Sequence, residues 1–451
     1  MSQADWISGR IAEFGDRTFL TRGDRHHSFA ELAAEVDVAK KEIIQADIPE
    51  GACVALLGDY SLEAIAAFIA LHLNGNILVP MTGLPQEELR QRMAEAHVQW
   101  ILKAEDTKYA IEKLIPDGDM PTMLADLQSA GHSGLILFSS GSTGRPKAMV
   151  HDLQELLAVY RDKRPRALTM LVFLLFDHIG GLNTLLNGLA TGAHLVIPES
   201  RDPEEVATLI EREKVRILPA SPTFLNLLLL SGAVARHDLS SLRIITYGTE
   251  PMPESLLAKL KAAFPRTKLL QTFGTSETGI SQTVSRSSSS LEMKIDDPNT
   301  EFKVVEGELW LRSTTQIRGY LNASMERFTE DGWFRTGDQV ELTDDGFIRI
   351  LGRDSEIINV GGEKVMPAEV ESVLLEVPEV RDCIVFGKPN PITGQVVAAE
   401  VVGAKDIEAR ELSRSIKRYC RSRIAPYKVP VYIEVVESLQ STGRFKKIRR
   451  R

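Results

Sequence analysis

Short, continuously apolar segments alternate with helix-like segments over about the first 275 residues of the chain. The pattern predicts a strand at residues 54–57, a helix at 62–73 and a second strand at 77–79 that ends at Pro80. The alternation continues with predicted strands at 169–176, 195–197, 216–218, 242–247 and 268–272 and predicted helices from about 181, near 222–230 and near 253–264. Apolar strands that alternate with helices are typical of parallel sheets covered on both faces. Ligands bind such sheets beyond the carboxyl ends of the strands.

The second part of the chain has a different pattern. From about residue 309 the sequence predicts short strands and turns, and after Arg353 it predicts a compact α+β unit. A chain of 451 residues exceeds one ordinary hydrophobic core. The sequence therefore predicts an α/β fold with a large N-terminal domain of stacked, mostly parallel sheets and a small β-barrel-like part, followed by a smaller α+β C-terminal domain.

Composition excludes several classes of protein. The 62 acidic residues outnumber the 53 lysines and arginines, giving a net charge of −9, which argues against nucleic acid as a principal partner. Three scattered cysteines fit neither a disulfide framework nor a zinc site. No signal peptide is visible and no apolar run is long enough to span a bilayer, so we expect a soluble, cytoplasmic protein.

One loop carries the strongest chemical signal in the sequence. The apolar run at 135–138 leads into a loop of small and hydroxyl-bearing residues that ends in a lysine: Ser139, Ser140, Gly141, Ser142, Thr143, Gly144 and Lys147. Small residues let backbone N–H groups approach an anion, and the lysine supplies a positive charge for phosphate oxygens. The segment predicts a polyphosphate-binding loop and hence an enzyme that uses a nucleotide.

Spacing excludes the P-loop of nucleotide triphosphatases for this segment. A P-loop needs Gly-Lys-Ser/Thr in direct succession. Here Arg145 and Pro146 separate Gly144 from Lys147, and proline has no N–H to donate. A plain Ser/Gly linker is the remaining alternative, and the apolar strand before it and the Pro-Lys after it argue against one.

The loop resembles the phosphate-binding signature of the adenylate-forming superfamily, which includes acyl- and aryl-CoA synthetases, adenylation domains of peptide synthetases, and luciferases. Further signatures follow in the family's order: Phe-Gly-Thr-Ser-Glu-Thr at 273–278, Thr-Gly-Asp at 336–338, and Gly-Arg at 352–353 with Gly-Gly at 361–362. The chain is most similar to the AMP-dependent acyl-/aryl-CoA synthetases. The resemblance implies an N-terminal domain at 1–352, a hinge at 353–356 and a mobile C-terminal domain at 357–451.

The resemblance also implies which residues bind ATP. The loop residues and Lys147 would bind the β- and γ-phosphates, Ser276 would donate to the α-phosphate, and Glu277 would bind Mg²⁺, which nucleotide sites hold by one or two carboxylates plus phosphate oxygens. For the nucleoside, Asp338 and Arg353 would bind the ribose. The adenine-side residues would be Gly248, Thr249, Glu250, Phe273, Gly274 and Thr275, with Phe273 offering a flat apolar face.

Near the C-terminus the sequence departs from the family pattern. A lysine in the family bridges the substrate carboxylate and the α-phosphate, and the matching segment here, Ser-Thr-Gly-Arg at 441–444, places Arg444 there. Guanidinium keeps the charge but is bulkier and planar. Three alternatives stay open: Arg444 supports adenylation, Lys446 substitutes for it, or the chain is an adenylation-impaired binding or regulatory homologue.

The segment at 359–371 resembles the part of CoA synthetases that meets the pantetheine arm. Gly361 and Gly362 would allow its close approach. The expected acceptor is CoA, and the alternative is the phosphopantetheine of a separate acyl carrier protein. The oligomeric state stays open, with a homodimer as one alternative.

The acid-binding region is the least defined by sequence. The segment at 176–181 resembles the Phe-His-x-x-Gly region that borders the acyl group, so His178 either orients the carboxylate or is structural. The overall expectation is an ATP-dependent, AMP-forming carboxylate–thiol ligase that acts on a small-molecule acyl or aryl acid. A luciferase-like oxygenase shares the first half-reaction and has no support of its own in the sequence.

Overall fold

A computed structural model describes residues 6–105, 108–116, 118–139, 145–404 and 407–439. Within them the chain forms a large N-terminal part of sheets and helices and a smaller α+β C-terminal part. The predicted fold class is confirmed. None of the described helices combines the length and the apolar character needed to cross a bilayer.

The helices lie mainly in the N-terminal part, between strands. In chain order they are α1 (Trp6–Phe14), α2 (Phe29–Gln45), α3 (Leu62–Leu73), α4 (Gln86–Glu95), α5 (Thr122–Ser129), α6 (Leu153–Arg161), α7 (Ile179–Thr191), α8 (Pro203–Arg212), α9 (Pro222–Leu230), α10 (Ala233–Arg236), α11 (Glu254–Ala263), α12 (Pro367–Leu374) and α13 (Ala409–Arg421).

Most strands have two to six residues, and the three longest lie in the second half of the chain. In chain order they are β1 (Thr18–Arg22), β2 (Arg25–Ser28), β3 (Cys53–Leu57), β4 (Ile77–Met81), β5 (Trp100–Glu105), β6 (Lys108–Lys113), β7 (Gly134–Ser139), β8 (Lys147–Asp152), β9 (Thr169–Leu171), β10 (His194–Ile197), β11 (Ile217–Ala220), β12 (Ile244–Tyr247), β13 (Lys268–Gln271), β14 (Phe273–Thr275), β15 (Gly279–Ser281), β16 (Thr283–Ser285), β17 (Glu292–Ile295), β18 (Thr300–Val305), β19 (Glu308–Ser313), β20 (Gly319–Tyr320), β21 (Phe334–Leu342), β22 (Ile348–Arg353), β23 (Ile358–Val360), β24 (Glu363–Val365), β25 (Val380–Asn390), β26 (Gly394–Gly403) and β27 (Tyr432–Val435).

Two mainly parallel sheets organise the N-terminal part. The first has the order β13-β12-β11-β9-β10-β1-β2, with only β2 antiparallel to its neighbour. The second has the order β20-β8-β7-β4-β3-β5-β6, with a parallel centre of β7, β4, β3 and β5. Helix α3 is almost fully buried, because both of its faces pack within the hydrophobic core.

A six-stranded antiparallel sheet, β16-β17-β22-β21-β19-β18, forms the β-rich part that the change of pattern near residue 309 predicted. The C-terminal part follows, with the sheet β24-β23-β26-β25, strand β27 beside β26, and helices α12 and α13. It contacts the N-terminal part through backbone carbonyls: Lys259 Nζ donates to the Leu375 oxygen at 3.1 Å, and Asn226 Nδ2 donates to the Arg381 oxygen at 3.3 Å.

Two strand boundaries predicted from sequence are wrong for physical reasons. The apolar run at 169–176 is a strand only over Thr169–Leu171, because the chain then leaves the sheet and crosses between two hydrophobic clusters. Phe173 is buried in one cluster and Phe176 in the other. Strand β4 does not end at Pro80 but continues to Met81 beside β3. On its other side β4 pairs with β7 only at its first two residues, so no hydrogen bond to β7 is lost where proline lacks an N–H.

Helix α7 begins at Ile179, two residues before the predicted start. His178 caps it, with its side chain accepting a hydrogen bond from the Gly180 N–H at 3.0 Å. Histidine is not among the residues usually preferred at this position, so the earlier start could not be predicted from the sequence.

Candidate active site

A cavity of about 450 Å³ lies at the carboxyl ends of β11, β12 and β13 and beside the β7–β8 hairpin. Many of the residues predicted from sequence line it: Ser139, Lys147, His178, Gly248, Thr249, Phe273, Gly274, Thr275, Ser276, Glu277 and Arg353. An adjoining cavity of about 220 Å³ is lined by Glu250 and Asp338 and shares Gly248, Thr249, Phe273, Gly274 and Arg353 with the first. Segments far apart in sequence therefore meet at one place.

The remaining predicted site residues are not in this group. Gly361 and Gly362 lie in the exposed turn between β23 and β24, at φ of 62° and 93°, and line neither cavity. Seven others lie outside the described residues: Ser140, Gly141, Ser142, Thr143, Gly144, Arg444 and Lys446. Their roles stay predictions, as do the domain boundaries at 1–352, 353–356 and 357–451.

The described ends of the predicted phosphate loop are held together by strand pairing. Ser139 and Lys147 are directly opposite each other in the antiparallel β7–β8 pair. Residues that follow the loop are also anchored, because Arg145 forms an ion pair with Glu95 at 2.7 Å and Asn322 accepts from the Ala148 N–H at 2.9 Å. The position of Lys147 at the cavity wall is thus fixed on both sides.

Glu277 lies at the tip of the β14–β15 hairpin, on the same side of the cavity as Lys147. Its Oε1 accepts a hydrogen bond from the Tyr320 hydroxyl at 3.0 Å. The Lys147 ammonium lies 5.0 Å from the centre of the Tyr320 ring. Burial, together with the charge of Glu277, raises the pKa of Tyr320, so the phenol stays protonated and donates to the carboxylate. A cation, an acid and a neutral donor therefore form one cluster.

Sequence reasoning missed Tyr320. It belongs to the two-residue strand β20, which pairs with β8 and so brings the ring beside Lys147. A short Arg-Gly-Tyr segment in an irregular stretch gives no local sign of this contact. Arg327, which also lines the larger cavity, was missed for the same reason.

Asp338 and Arg353 face each other across the β21–β22 pair. Arg353 Nε donates to Asp338 Oδ1 at 3.0 Å. The Thr-Gly-Asp turn that carries Asp338 is held by the Thr336 hydroxyl, which donates to the Leu309 carbonyl at 2.6 Å and accepts from the Asp338 N–H at 3.0 Å. The charge of Asp338 raises the pKa of Arg353 further, so the guanidinium remains charged. This acid is thus presented rigidly at the smaller cavity.

The segment after β12 is strained. Thr249 has a φ of 72°, in the left-handed region that β-branched residues rarely adopt. A Cβ on Gly248 would lie 2.8 Å from the Thr272 carbonyl oxygen, so the backbone can pass there only with glycine. The Glu250 carboxylate accepts a hydrogen bond from the Thr223 N–H at 2.7 Å. Strain at a cavity wall is a common feature of functional sites.

Phe273 is more deeply packed than its expected role requires. Its side chain is 7% exposed and belongs to the hydrophobic cluster of the six-stranded sheet. Adenine stacking on Phe273 stays a prediction, and the packing leaves little of the ring available for it.

His151 is a buried histidine close to the backbone of Ser276. It lies on β8, is fully buried, and its surroundings include the backbone of Ser276 and Thr315. Burial lowers the pKa of His151 to about 4, because a charged imidazolium would lose its hydration; the backbone groups oppose this shift without reversing it.

The other half of the larger cavity is mostly apolar. It is lined by residues of α7, of strands β9, β11, β12 and β13, and of the segment after β9: Met170, Leu174, Ile179, Gly180, Asn183, Thr184, Asn187, Ile217, Pro219, Ala220, Ile244, Thr246 and Leu270. His178 also lines the cavity; its Nδ1 accepts from the Gly180 N–H, so the proton of the neutral ring is on Nε2. An apolar chamber that adjoins a charged cluster suits an acid with an apolar body.

Comparisons with known proteins agree with this geometry. The family model described as AMP-binding enzyme matches residues 8–321, and the AMP-binding enzyme C-terminal domain matches residues 369–446. A 2-succinylbenzoate–CoA ligase from Bacillus licheniformis is 28% identical, over 100% of this chain and 99% of the relative. A long-chain-fatty-acid–CoA ligase from Mycobacterium tuberculosis is 28% identical, over 94% and 92%.

The fold is also shared with solved structures. The crystal structure of an anthranilate–CoA ligase in complex with anthranoyl-AMP superposes with a TM-score of 0.83 at 21% identity, covering 99% of this chain and 95% of the other. The resemblance inferred from the motifs is confirmed. With both family models matched in order over most of its length, the chain belongs to the AMP-binding enzyme family.

Proposed function

We propose that the protein is an ATP-dependent, AMP-forming ligase that joins a carboxylic acid to CoA through an acyl-adenylate. The observation that carries this proposal is the meeting of three groups in two adjoining cavities: the Lys147–Tyr320–Glu277 cluster, the Asp338–Arg353 pair and the apolar chamber beside α7. Each group suits one part of an acyl-adenylate, namely phosphate, ribose and acyl group.

The chemistry requires that one anion attack another. A carboxylate oxygen attacks the α-phosphorus of ATP, the new carboxylate–phosphate bond forms, and pyrophosphate leaves with the electron pair of the broken bond. Repulsion must be offset by cations and donors that are already in place. Lys147 supplies a charge at the cavity wall, and Ser276 lies at the tip of the β14–β15 hairpin where a donor to the α-phosphate is needed.

Magnesium fits the residues present. Glu277 lines the cavity, and the Tyr320 hydroxyl orients one of its oxygens. A single carboxylate together with phosphate oxygens is a usual environment for Mg²⁺ in nucleotide sites, where the ion offsets charge on the leaving pyrophosphate. We propose Glu277 as its protein ligand.

Ribose binding is assigned to Asp338. Its carboxylate is 6% exposed, and one oxygen accepts from Arg353 at the edge of the smaller cavity. A carboxylate fixed in this way accepts hydrogen bonds from vicinal hydroxyls, as acids do in other nucleotide sites.

The thiol acceptor is proposed to be CoA because the named relatives are CoA ligases. The acids in their names differ widely: 2-succinylbenzoate, a long-chain fatty acid and anthranilate. They therefore support the reaction for this chain and do not select its acid.

Acid-dependent release of pyrophosphate from ATP tests the proposal directly. The full chain is incubated with ATP, Mg²⁺ and a panel of aryl and alkyl acids, first without and then with CoA. We expect pyrophosphate and acyl-adenylate without CoA, and AMP and acyl-CoA once CoA is added. If pyrophosphate is released but no acyl-CoA forms, and a phosphopantetheinylated carrier protein is acylated instead, the acceptor is a carrier protein and not CoA. If no acid releases pyrophosphate, the proposal is overturned.

A further inference from the structure

The acid-binding half of the cavity contains two asparagines on one face of helix α7, Asn183 and Asn187. The wall around them is mostly apolar, with Met170, Ile217, Ile244 and Leu270, and also includes Thr184 and Thr246. Polar amides in an apolar chamber determine what the chamber accepts, because each must find a hydrogen-bond partner or lose the one it has in water.

Lys163 fixes how Asn187 is oriented. The Lys163 ammonium lies 2.5 Å from the Asn187 side-chain oxygen. An ammonium group has only donors, so the amide atom facing it must be the carbonyl oxygen. The amide nitrogen of Asn187 then points the other way, and it donates to the backbone oxygen of Asn183 at 2.7 Å and to Asn183 Oδ1 at 3.0 Å.

The orientation of Asn183 follows from that of Asn187. Its Oδ1 accepts from Asn187 and also from the Tyr160 hydroxyl, at 2.8 Å. Both acceptor positions of the Asn183 side chain are therefore occupied. Its amide nitrogen carries two N–H bonds, and within the described part of the chain no acceptor lies within hydrogen-bond reach of them.

The Lys163 ammonium, which orients Asn187, has its own contacts that hold it in place and keep it charged. Burial lowers the pKa of Lys163, and Asp297 opposes that change by favouring the charged form. The ammonium also lies 4.7 Å from the centre of the Tyr160 ring. Lys163, Asn187, Asn183 and Tyr160 thus form one hydrogen-bonded relay, with a cation at one end and an N–H donor at the cavity at the other.

We propose that Asn183 is a specificity-determining residue whose amide N–H selects an acid carrying a second carbonyl-type oxygen, either a ketone or a second carboxylate. This inference rests on the proposed ligase function and adds the class of its substrate. Asn183 follows His178 by five residues, which is about 7 Å along the helix axis. The second oxygen therefore lies in the body of the acid, well separated from a reacting carboxylate held beside His178.

The acid and the Asn183 side chain both contribute to the selection between acids. An acid with an oxygen at this depth satisfies the Asn183 N–H, whereas a purely hydrocarbon acid buries the donor without a partner. Leaving one buried polar group unpaired changes relative affinity by about tenfold or more. The Lys163 charge behind the relay polarises the amides in the direction that favours a negative or strongly polar oxygen.

Pairs of matched acids test the inference. Phenylalkanoic acids of rising chain length are each compared with the same acid bearing a ketone beside the ring, and with a dicarboxylic acid of similar length. We expect the kcat/KM for pyrophosphate release to be about tenfold higher for the oxygenated acid of the best-fitting pair. Equal values across every pair would overturn the inference while leaving the ligase function intact.

Variants of Asn183 and Lys163 test whether this relay causes the preference for the oxygenated acid. In Asn183→Leu we expect the ratio of kcat/KM between oxygenated and parent acid to fall to about one, and in Lys163→Met to fall by about threefold, because Asn187 is no longer oriented. Lys214→Met, which removes an exposed lysine paired with Asp238 at 3.4 Å, is the matched control and should keep the full ratio. A ratio unchanged in Asn183→Leu would overturn the assignment.

Direct binding separates this inference from the proposed function. If no acid releases pyrophosphate, the ligase proposal fails, and the dissociation constants of the same acid pairs are measured by calorimetry on the full chain. Tighter binding of the oxygenated acid, lost in Asn183→Leu, supports the inference on its own; equal binding overturns it.

Discussion

The two adjoining cavities form one site whose two halves are built in different ways. The half that we propose to bind the nucleotide, called the nucleotide half below, is made of turns at strand ends and carries contiguous motifs such as the one with Glu277 and the one with Asp338. The acid half is made from the sides of elements, where single residues at helical or strand spacing, such as Asn183 on α7 and Ile244 on β12, reach the same chamber.

This difference shows what each half is free to vary. A strand-end turn at the cavity wall depends on its backbone geometry, as the positive φ of Thr249 and the close approach of Gly248 to Thr272 show. A side chain on the inner face of a strand can change size without moving the sheet. Substitutions in the nucleotide half should therefore impair the reaction with every acid, and those in the acid half should change only which acid reacts.

The largest effect is expected for Glu277→Gln. The amide keeps a hydrogen-bond acceptor for Tyr320 but loses the negative charge that we assign to Mg²⁺ binding. We expect kcat for pyrophosphate release to fall by about 10²–10³-fold with all acids, with a higher Mg²⁺ requirement. Glu330→Gln, at an exposed position outside both cavities, is the control. Activity within threefold of the parent would overturn the assignment of Glu277 as the Mg²⁺ ligand.

The second effect is the dependence of the free energy of unfolding on pH, through His151. The pKa of His151 is about 4 in the folded chain and about 6.5 when unfolded, so between these values the unfolded chain binds more protons. The free energy of unfolding should therefore rise with pH across this window, and the contribution, about 3 kcal/mol, is complete above pH 6.5 and lost as the pH falls to 4.

Urea unfolding at several pH values measures this contribution. The variant His151→Leu has a similar volume and no group to titrate, and both ring nitrogens of His151 are buried without a close hydrogen-bond partner among the described residues. The parent should lose about 3 kcal/mol more than the variant between pH 6.5 and 4. Parallel pH profiles would show that His151 does not titrate as its burial implies.

The same contrast explains how much could be predicted from the sequence. Contiguous motifs identified residues that meet at the two cavities, and the alternation of apolar and helical segments predicted helices α3 and α9 with their observed bounds. Tyr320 and Asn183 were not found, because their roles arise from β20 pairing with β8 and from the Lys163 relay, contacts between distant segments. The apolar run at 169–176 was misread since burial between two cores looks like a buried strand.

Asp338→Asn should have a smaller effect that is confined to ATP. The amide keeps the shape of the side chain and one acceptor oxygen for Arg353, but it loses the charge and half of the capacity to accept from ribose hydroxyls. We expect the KM for ATP to rise by about tenfold and the ranking of acids to stay the same. Asp344→Asn, at an exposed turn of the same strand pair, should change neither. A changed ranking of acids would show that the two halves are coupled.

The smallest effect, and the clearest separation of the two halves, is expected for Ile244→Ala. Ile244 begins β12 and lines the chamber about 13 Å from the strand end at Gly248, given the usual rise per residue of a strand. Removing three carbons there lengthens the chamber, so acids longer by two or three methylenes should gain about fivefold in kcat/KM relative to the parent's best acid. The KM for ATP should not change, because no strand-end turn moves. Leu342→Ala, an exposed position on β21, controls for a general loss of stability. If Ile244→Ala raised the KM for ATP as much as it shifted the preferred acid, the acid half would not be independent of the nucleotide half, because the sheet itself would have moved.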